Sequence, residues 1–398
     1  MSVQAPSYVW VDQKKDIRAI AEQLSKSEWI AFDTEFIRES TFFPKLEILQ
    51  VADESQVWLL DVPALGADGL KPILDVFSNP KIIKVLHAAQ GDQEALYCTF
   101  KRVATPTFDT AQGASLCGYG ESIGLANLLR TELGVEVKKG HARTHWGARP
   151  LAPQLLQYAA ADVDQLVKLG KSLKEKLVAQ NRFEWALELS AKFERTSLYE
   201  AQPEELALKL AKGSRMDQKT FQILVELLKW REERVRQVDR PRKWVADDGI
   251  VFDLAMAQPK DDQHLSTFRG INKGELQHSG RMILAAIQKG LSGKPESYPE
   301  RERLKAPSDS EARSLELAKV YLGFLSDQTK ISTPHLVTPP HLIQILRNSK
   351  LSVDQWVEQG LMLSGAAKLM GQQLHDFMNG KVVVYLAEGK LQFKAIQN

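Results

Sequence analysis

The segment Trp29–Ile37, with the sequence WIAFDTEFI, decides the fold because it combines a strand-like apolar run with two carboxylates. Side chains alternate between the two faces of a strand, so Asp33 and Glu35 project from the same face. Like charges on one face of an apolar strand cost free energy unless a cation binds between them. The pattern therefore predicts a metal site, although an isolated D-x-E also occurs as two solvated acids at an exposed strand edge.

The residues around this segment predict an α/β domain. Two further apolar runs, residues 46–52 and 57–62, follow after polar turns, so we expect three consecutive antiparallel strands that open the domain. A later strand is expected at residues 81–87. Helical spacing predicts helices at residues 69–77, 92–100, 109–117, 122–133 and 153–180. Together these elements predict a mixed sheet flanked by helices, which we assign to residues 1–205.

Beyond residue 180 strand-like runs nearly vanish, and the apolar spacing predicts all-α C-terminal domains. The three prolines between residues 290 and 310 indicate a linker. We therefore expect a helical domain at residues 211–293, a linker at 294–309 and a second helical domain at 310–398. A faint repeat at an offset of 88 residues aligns Leu254, Leu265 and Phe268 with Leu342, Val353 and Trp356. Such agreement indicates either a duplicated domain or chance.

The composition, 43% hydrophobic and 26% charged, is that of a globular protein. No run approaches the roughly 18 apolar residues of a membrane span, and residues 1–10 lack a secretory pattern, which favours a cytoplasmic protein without a membrane partner. Cys98 and Cys117 are too few for a disulfide framework or a cysteine-rich zinc site. We expect both to be core thiols.

A net charge of +2 does not by itself indicate a nucleic-acid-binding protein. Residues 229–243, however, hold seven basic residues against three acidic ones. This segment either contacts phosphates or forms a solvated helix face with internal ion pairs. The basic residues proposed to contact nucleic acid here are Arg234, Arg236, Arg240, Arg242 and Lys243.

Two more elements complete the candidate site. Tyr158 and Asp162 are four residues apart in a predicted helix, so they lie on one face, one turn apart. Asp92 follows the predicted strand at residues 81–87 and stands at the start of a helix, where an N-cap is its ordinary role. Tyr158 and Asp162 also have an ordinary interpretation, in which the tyrosine packs against the core and the aspartate faces solvent. His87 is expected to be a hydrogen-bonded supporting residue rather than a metal ligand.

The joint order of these elements resembles the ribonuclease D family, in the tyrosine-containing subclass of the DEDD exonuclease superfamily. The resemblance covers essentially the N-terminal 200 residues. The segments that carry it are Phe32-Asp33-Thr34-Glu35-Phe36, Arg38-Glu39, Pro44-Lys45-Leu46, Gln50, His87-Ala88 through Asp92, Phe108-Asp109-Thr110, Trp146, Arg149-Pro150-Leu151 and Tyr158-Ala159-Ala160 with Asp162-Val163. Residues 224–290 resemble the helical HRDC domain, and residues 310–389 resemble it less closely. The chain has no G-x4-G-K-[ST] phosphate loop, so no nucleotide cofactor is expected.

The resemblance implies a ribonuclease H-like α/β domain and a 3′-5′ exoribonuclease that releases nucleoside 5′-monophosphates. It implies two divalent ions held by Asp33, Glu35, Asp92 and Asp162, with Tyr158 orienting the attacking water. Hard oxygen ligands suit Mg²⁺ or Mn²⁺. The implied substrate is transfer RNA with a 3′ extension. In the α/β domain, the residues proposed to contact it are Arg38, Lys45 and Arg149.

The sequence departs from the family pattern around the helix that carries Tyr158. Thr144 and His145 replace a Ser-Asp pair, Ala152 and Leu155 replace Ser and Gln, and Gln165 replaces an aromatic residue. We expect these changes to alter substrate contacts or lid closure near residues 141–155. Two alternatives stay open, namely a DNA exonuclease of the same superfamily and a nucleic-acid-binding protein with an inactive nuclease domain. The oligomeric state is also open.

Overall fold

One mixed sheet forms the centre of the N-terminal part of the chain. The computed structural model describes residues 6–137, 145–214, 216–268, 270–271, 273–299 and 307–396. Within these ranges the sheet has the strand order β1-β4-β3-β2-β5-β6. Its strands are β1 (Tyr8–Val11), β2 (Trp29–Ile37), β3 (Lys45–Ala52), β4 (Val57–Asp61), β5 (Ile83–Leu86) and β6 (Thr107–Asp109).

Helices cover both faces of this sheet. Those of the α/β domain are α1 (Lys14–Leu24), α2 (Val62–Phe77), α3 (Gln90–Phe100), α4 (Thr110–Leu116), α5 (Leu125–Leu133), α6 (Pro153–Asp164), α7 (Leu166–Ala179) and α8 (Phe183–Ala191). Residues of α1, α2 and α3 pack on one face and residues of α4 to α8 on the other. Along β2, Phe32 packs into the core on the α1–α3 side of the sheet and Ala31 into the core on the α4–α8 side, as strand alternation requires.

The three predicted antiparallel strands are confirmed as β2, β3 and β4. The expectation that they open the domain is wrong, because β1 and α1 precede them and β1 pairs in parallel with β4. β1 has four residues and β6 has three, too few to show alternation in sequence. The helix predicted at residues 153–180 is two helices, since the backbone leaves helical geometry at Gln165.

The C-terminal region is mostly helical, as predicted. Its helices are α9 (Pro203–Ala211), α10 (Gln218–Val238), α11 (Arg242–Val245), α12 (Asp248–Ala257), α13 (Asp262–Leu265), α14 (Lys273–Ser292), α15 (Asp309–Thr329), α16 (Thr333–Leu336), α17 (Pro339–Arg347), α18 (Val353–Glu358), α19 (Ser364–Ala366) and α20 (Gln372–Met378). Short 3-10 segments occur at Lys192–Glu194, Thr196–Leu198 and Pro295–Ser297, and a π-helical segment at Ala367–Gly371.

The all-α expectation needs one correction, a hairpin formed by β7 (Val382–Ala387) and β8 (Lys390–Ala395). Its turn, Glu388-Gly389, has positive φ at both residues, 50° and 73°, as a type I′ hairpin turn requires. The valine run of β7 and this turn together predict a β-hairpin, which the all-helical interpretation of the sequence did not include.

The two helical regions attach to the α/β domain in different ways. In the first, α9 to α14 enclose their own core, and Phe42 of the α/β domain packs against it. The second shares a continuous apolar core with the α/β domain, in which Trp185 and Leu189 belong to the same cluster as Trp356 and Met370. An added Cβ on Gly365 would lie 2.1 Å from Trp185 Cγ. The second helical region therefore packs tightly against α8, with no room for an added methyl group at this contact.

The structure also tests two expectations that were drawn from the composition. No helix in the described ranges has the length and apolarity needed to cross a membrane. Cys98 and Cys117 are free thiols, but they are only half-buried, so neither is the core residue that the sequence suggested.

The close contact at Gly365 gives a stability prediction. Gly365→Ala will lower the free energy of unfolding by about 1–3 kcal/mol, because the methyl group overlaps the Trp185 side chain and forces repacking. Thermal unfolding measures this as a lower Tm. The matched control is Gly323→Ala in α15, where a Cβ meets no atom within 4 Å and alanine is the better helix former. A Gly365→Ala variant as stable as Gly323→Ala would contradict this packing.

Candidate active site

The candidate site lies where β2 extends beyond the end of its neighbour β5. The parallel pairing of these strands covers only Trp29–Ala31 against Ile83–Val85. β2 then continues to Ile37, whereas β5 ends at Leu86 and the chain turns into α3. Asp33 and Glu35 therefore stand beyond the end of the neighbouring strand. Crevices at the carboxyl ends of parallel strands are the usual place for ligands in α/β sheets.

The predicted acids converge at this crevice. Asp33 and Glu35 share the face of β2 that α6 covers, and α6 contributes Asp162. One carboxylate oxygen from each of these three residues lies within 4.8 Å of the other two. A β-bulge after Glu35 shifts the register of β2 against β3, and bulges of this kind redirect side chains beside functional sites. Three oxygens at this spacing can ligate one divalent cation.

Asp92 reaches the same crevice from α3. It is the third residue of that helix, not its N-cap, so the ordinary interpretation of this aspartate is wrong. Its side chain is 7% exposed, and Thr34 Oγ1 donates a hydrogen bond of 2.5 Å to its Oδ1. Burial, followed by the negative charge of Asp33, raises its pKa. Asp92 is thus a buried acid fixed directly beside Asp33.

The turn before α3 explains why Asp92 arrives there. Ala88 has a positive φ of 60°, which is unusual for a residue other than glycine. The buried Asp109 carboxylate accepts hydrogen bonds from the backbone N–H groups of Ala88 at 2.9 Å and Ala89 at 3.1 Å. These bonds hold the left-handed turn, so α3 begins at Gln90 and projects Asp92 into the crevice. His87, as expected, is a supporting residue, with hydrogen bonds to Thr110 Oγ1 and to the Ile123 carbonyl.

The acids strongly disfavour one another's ionisation. Burial raises the pKa of Glu35 to about 9, with further contributions from the charges of Asp33, Asp162 and Asp92. Burial and the charge of Asp33 raise the pKa of Asp162 to about 8, and burial raises that of Asp33 to about 6. Within the described part of the chain no positive side chain offsets this repulsion, and a hard divalent cation fits the all-oxygen donor set.

An unsatisfied amide supports the same conclusion. Gln50 lies opposite Asp33 in the β2–β3 register and is completely buried. Neither its side-chain nitrogen nor its oxygen has a hydrogen-bond partner among the described residues. Because a buried polar group without a partner is costly, such a group beside three acids indicates that a polar ligand belongs in the site. Sequence reasoning did not include Gln50, Thr34 or Asp109 in the candidate site.

Tyr158 is half-buried on α6, one helical turn before Asp162. Its ring lies 6.2 Å from the ring of Trp146, measured between centroids. Burial and the charges of Asp162 and Glu35 raise its pKa, so the phenol stays protonated at neutral pH. It can therefore position a reacting oxygen by hydrogen bonding, but it is not a base.

Comparisons with known proteins identify the family. A family model described as 3′-5′ exonuclease matches residues 8–178, and the HRDC domain model matches residues 220–287. Ribonuclease D of Acidiphilium cryptum is 31% identical over 321 residues, which cover 80% of this chain and 81% of that protein. The chain belongs to the ribonuclease D family. It is an exoribonuclease that acts in the 3′-5′ direction, as the sequence predicted.

Other ribonuclease D relatives extend the match along the chain. The protein of Bartonella henselae is 29% identical over 387 residues, covering 97% of this chain and 94% of the relative. The crystal structure of Escherichia coli RNase D, described as an exoribonuclease involved in structured RNA processing, superposes with a TM-score of 0.80 at 24% identity. That match covers 94% of this chain and 99% of the other. It shows that the two chains share a fold, including the helical C-terminal region.

Arg149, predicted to contact RNA, is held within the ribonuclease D domain. Its Nε and Nη2 donate to the Asp61 carboxylate at 2.8 and 3.0 Å, and its Nη1 donates to the carbonyls of Trp146 and Ala148. Glu47 accepts from Nη2 as well. These contacts fasten the segment before α6 to β3 and β4, which favours a positioning role for Arg149.

The other predicted basic residues differ in their partners. Arg38 pairs with Glu94 at 2.9 Å and Lys45 with Glu47 at 2.7 Å. In the first helical region Arg234 pairs with Glu275, and Arg242 forms a two-pronged pair with Glu232. Arg240 lies over the exposed ring of Trp244, in a groove of about 650 Å³ that Lys243 also lines. Arg236 lies over Phe42.

The departures from the ribonuclease D pattern surround α6. Thr144 lies outside the described residues, and His145 is exposed. Ala152 is the N-cap of α6 and provides no side-chain hydrogen bond, whereas a serine there could accept one from the first turn. Leu155 packs against the core, and Gln165 lies at the break between α6 and α7. The helix that carries Tyr158 and Asp162 therefore begins without a side-chain cap.

The repulsion within the cluster predicts how Glu35 affects stability. Because its pKa is about 9 in the fold and about 4.5 when unperturbed, folding takes up a proton between these values and stability falls as pH rises through that window. Glu35→Gln removes this cost, so in EDTA its Tm will exceed that of the wild type, by more at pH 8 than at pH 5.5.

Scanning fluorimetry in EDTA and in Mg²⁺ tests this. Mg²⁺ should stabilise the wild type more than Glu35→Gln, because the variant lacks one ligand. The control is Glu39→Gln, which removes an exposed carboxylate just after β2. Equal Mg²⁺ effects on all three proteins, with no pH-dependent gain in Glu35→Gln, would show that Glu35 is not in a charge-repelled metal site.

Proposed function

We propose that this exoribonuclease trims the 3′ ends of transfer RNA precursors and releases nucleoside 5′-monophosphates by a two-metal-ion mechanism. The observation that carries the reaction is the convergence of Asp33, Glu35 and Asp162 oxygens within 4.8 Å, with Asp92 buried beside them. Two divalent ions bound by such acids activate water and neutralise charge on the scissile phosphate. The inactive-nuclease alternative finds no support in this geometry, because no acid of the motif is missing or displaced.

Each acid has a proposed role. Asp33, at the centre of the cluster, would bridge both ions, and Glu35 and Asp162 would complete the site nearer the attacking water. Asp92 would hold the second ion, and Thr34 would fix its carboxylate through the 2.5 Å hydrogen bond. Mg²⁺ or Mn²⁺ fits these ligands because all of them are hard oxygens. Their raised pKa values mean that cation binding would release protons from the cluster.

Tyr158 would orient the attacking water. Its protonated hydroxyl group can donate to or accept from a water oxygen, while the core and the neighbouring Trp146 ring hold its position. Arg149 would act at a distance by fixing the segment that leads into α6. In this proposal the acids would hold the ions and Tyr158 would position the nucleophile.

We further propose that the helical regions bind structured RNA. The HRDC match at residues 220–287 supports this for the predicted domain 211–293. The predicted divergent domain 310–398 repeats the order of helix lengths, since α10 and α15 both have 21 residues and are each followed by a four-residue helix. α9 also packs against α10, so we place the start of the first helical unit at α9. A cytoplasmic location stays a prediction.

Three variants test the proposed roles. Asp33→Asn and Asp162→Asn will abolish nucleotide release in Mg²⁺, because each removes a ligand charge. Tyr158→Phe will lower kcat by about 100-fold or less, because it removes only a positioning hydroxyl group. Gel analysis of a 5′-labelled RNA measures these rates, and RNA binding in EDTA serves as the control for folding. Full cleavage by Asp33→Asn would contradict the assignment.

Matched substrates test the proposed RNA. The wild type should shorten a 3′-extended transfer RNA stepwise, stop near the acceptor stem and release nucleoside 5′-monophosphates, identified by chromatography. A single-stranded RNA of the same 3′ sequence should be degraded further, and the equivalent DNA more slowly than either. Faster degradation of DNA than of both RNAs would favour the DNA exonuclease instead.

A further inference from the structure

A cleft of about 520 Å³ lies between the α/β domain and the first helical region. One of its walls is a face of α3, formed by Gln90, Glu94, Tyr97, Cys98 and Lys101. Their spacing of three and four residues is that of one helix face. The opposite face of α3, including Ala95 and Leu96, is buried in the core. The cleft therefore runs along the helix that carries Asp92.

Aromatic rings line this interdomain cleft. Phe43, Tyr97 and Tyr199 contribute to its walls, and the rings of Tyr97 and Tyr199 lie 6.0 Å apart between centroids. Tyr199 donates its hydroxyl hydrogen to the Phe193 carbonyl at 2.7 Å, and Tyr97 donates to Glu200. These bonds fix the rings in place. Burial, followed by the charges of Glu94 and Asp92, raises the pKa of Tyr199.

Four cations and two carboxylates line the interdomain cleft, so its charge is positive. Arg38 and Arg242 are each paired with a glutamate. Lys101 and Arg236 form no ion pair with any residue in the described ranges. The Lys101 ammonium group lies 5.0 Å from the centroid of Tyr97 and 5.8 Å from that of Phe43. Two positive charges are thus placed beside aromatic rings without an acidic partner.

The cleft depends on contact between the two domains. The backbone N–H groups of Phe42 and Phe43 both donate to Asp239 Oδ1, at 3.0 and 3.1 Å. Phe42 packs against the core of the first helical region, with the guanidinium groups of Arg236 and Arg242 within 6.0 Å of its ring. The loop between β2 and β3 is therefore fastened to the end of α10, and Arg236 is held over the cleft.

We propose that the interdomain cleft binds the single-stranded RNA that precedes the 3′-terminal nucleotide. Bases would stack on Phe43 and Tyr97, and Lys101 and Arg236 would contact phosphates. Aromatic rings interleaved with unpaired cations are the usual platform for single-stranded nucleic acid. The proposal rests on the proposed reaction at the acids, in which the terminal nucleotide occupies the acid cluster and the preceding ones lead away from it.

The length of α3 sets the reach of this site. Asp92 and Lys101 are nine residues apart, or about 14 Å along the axis of α3 at about 1.5 Å per residue. Stacked nucleotides rise by about 3.4 Å each, so roughly four of them span this distance. A dinucleotide held by the acids would not reach Lys101, whereas a heptanucleotide would pass it.

Substrate length therefore provides the test. Full-length Lys101→Ala/Arg236→Ala protein should lose at least tenfold more kcat/KM on a heptanucleotide RNA than on a dinucleotide, relative to the wild type. The matched control is Lys15→Ala/Arg18→Ala, which removes two exposed cations from α1 and should change neither value. An equal loss on both RNAs, or no loss on the heptanucleotide, would overturn the proposal.

Binding in EDTA separates the interdomain cleft from the chemistry. Fluorescence anisotropy with labelled heptanucleotide should show at least tenfold weaker binding by Lys101→Ala/Arg236→Ala. Its plot of log affinity against log salt should be less steep by about 1.4, because each lost phosphate contact on a single strand contributes about 0.7. Unchanged affinity and slope would overturn the proposal even if the wild type hydrolysed RNA. A wild type that cleaves neither RNA would contradict the proposed reaction, while this binding result would still decide the role of the cleft.

A footprint on Cys98 gives an independent readout. The chain has two cysteines, so Cys117→Ala leaves the cleft thiol as the single reactive one. In EDTA, saturating heptanucleotide should slow the alkylation of Cys98 by at least fivefold, whereas the dinucleotide should not. Equal alkylation rates with and without heptanucleotide would show that RNA does not enter the cleft.

Discussion

Electrostatic repulsion among buried carboxylates is the constraint on which the rest of this structure depends. Asp33, Glu35, Asp92 and Asp162 all have raised pKa values, so the fold must hold together groups that would separate if they were free to move. β2 provides the stiffness, because it pairs on both sides within the sheet. The Thr34 hydrogen bond fixes Asp92, and the Asp109 carboxylate fixes the turn that delivers it. Arg149 secures the segment that leads to Asp162.

The parts of the site that sequence predicts are those governed by local geometry. Strand alternation placed Asp33 and Glu35 on one face, and helical spacing placed Tyr158 and Asp162 one turn apart. Asp92 was predicted as a member of the site and lies beside Asp33, but the predicted helix start at residue 92 is wrong, because α3 begins two residues earlier at Gln90. That start depends on Asp109, whose distant hydrogen bonds no local pattern reveals. β1 and β6 were missed because they are too short to show a period.

The basic residues show the limit of counting charges. Arg149, Arg234 and Arg242 looked available for phosphate in sequence, yet each has an acidic partner at hydrogen-bonding distance. Asp61 and Glu275 are far from these arginines along the chain, so the pairings appear only in three dimensions. The interdomain cleft was hidden for the same reason, since its walls come from residues near positions 40, 97, 199 and 236. In this protein, a local excess of basic residues in the sequence therefore does not identify a positively charged surface.

The continuous core between α8 and the second helical region has a consequence for how the molecule unfolds. Trp185, Tyr321 and Trp356 belong to one apolar cluster, so neither side can open without exposing the other. The first helical region, by contrast, encloses its own core and contacts the α/β domain through Phe42 and through Asp239, which accepts hydrogen bonds from the backbone of Phe42 and Phe43. In hydrogen exchange, the α/β domain and the second helical region should then open as one cooperative unit, and the first helical region, which lies between them in the sequence, as another.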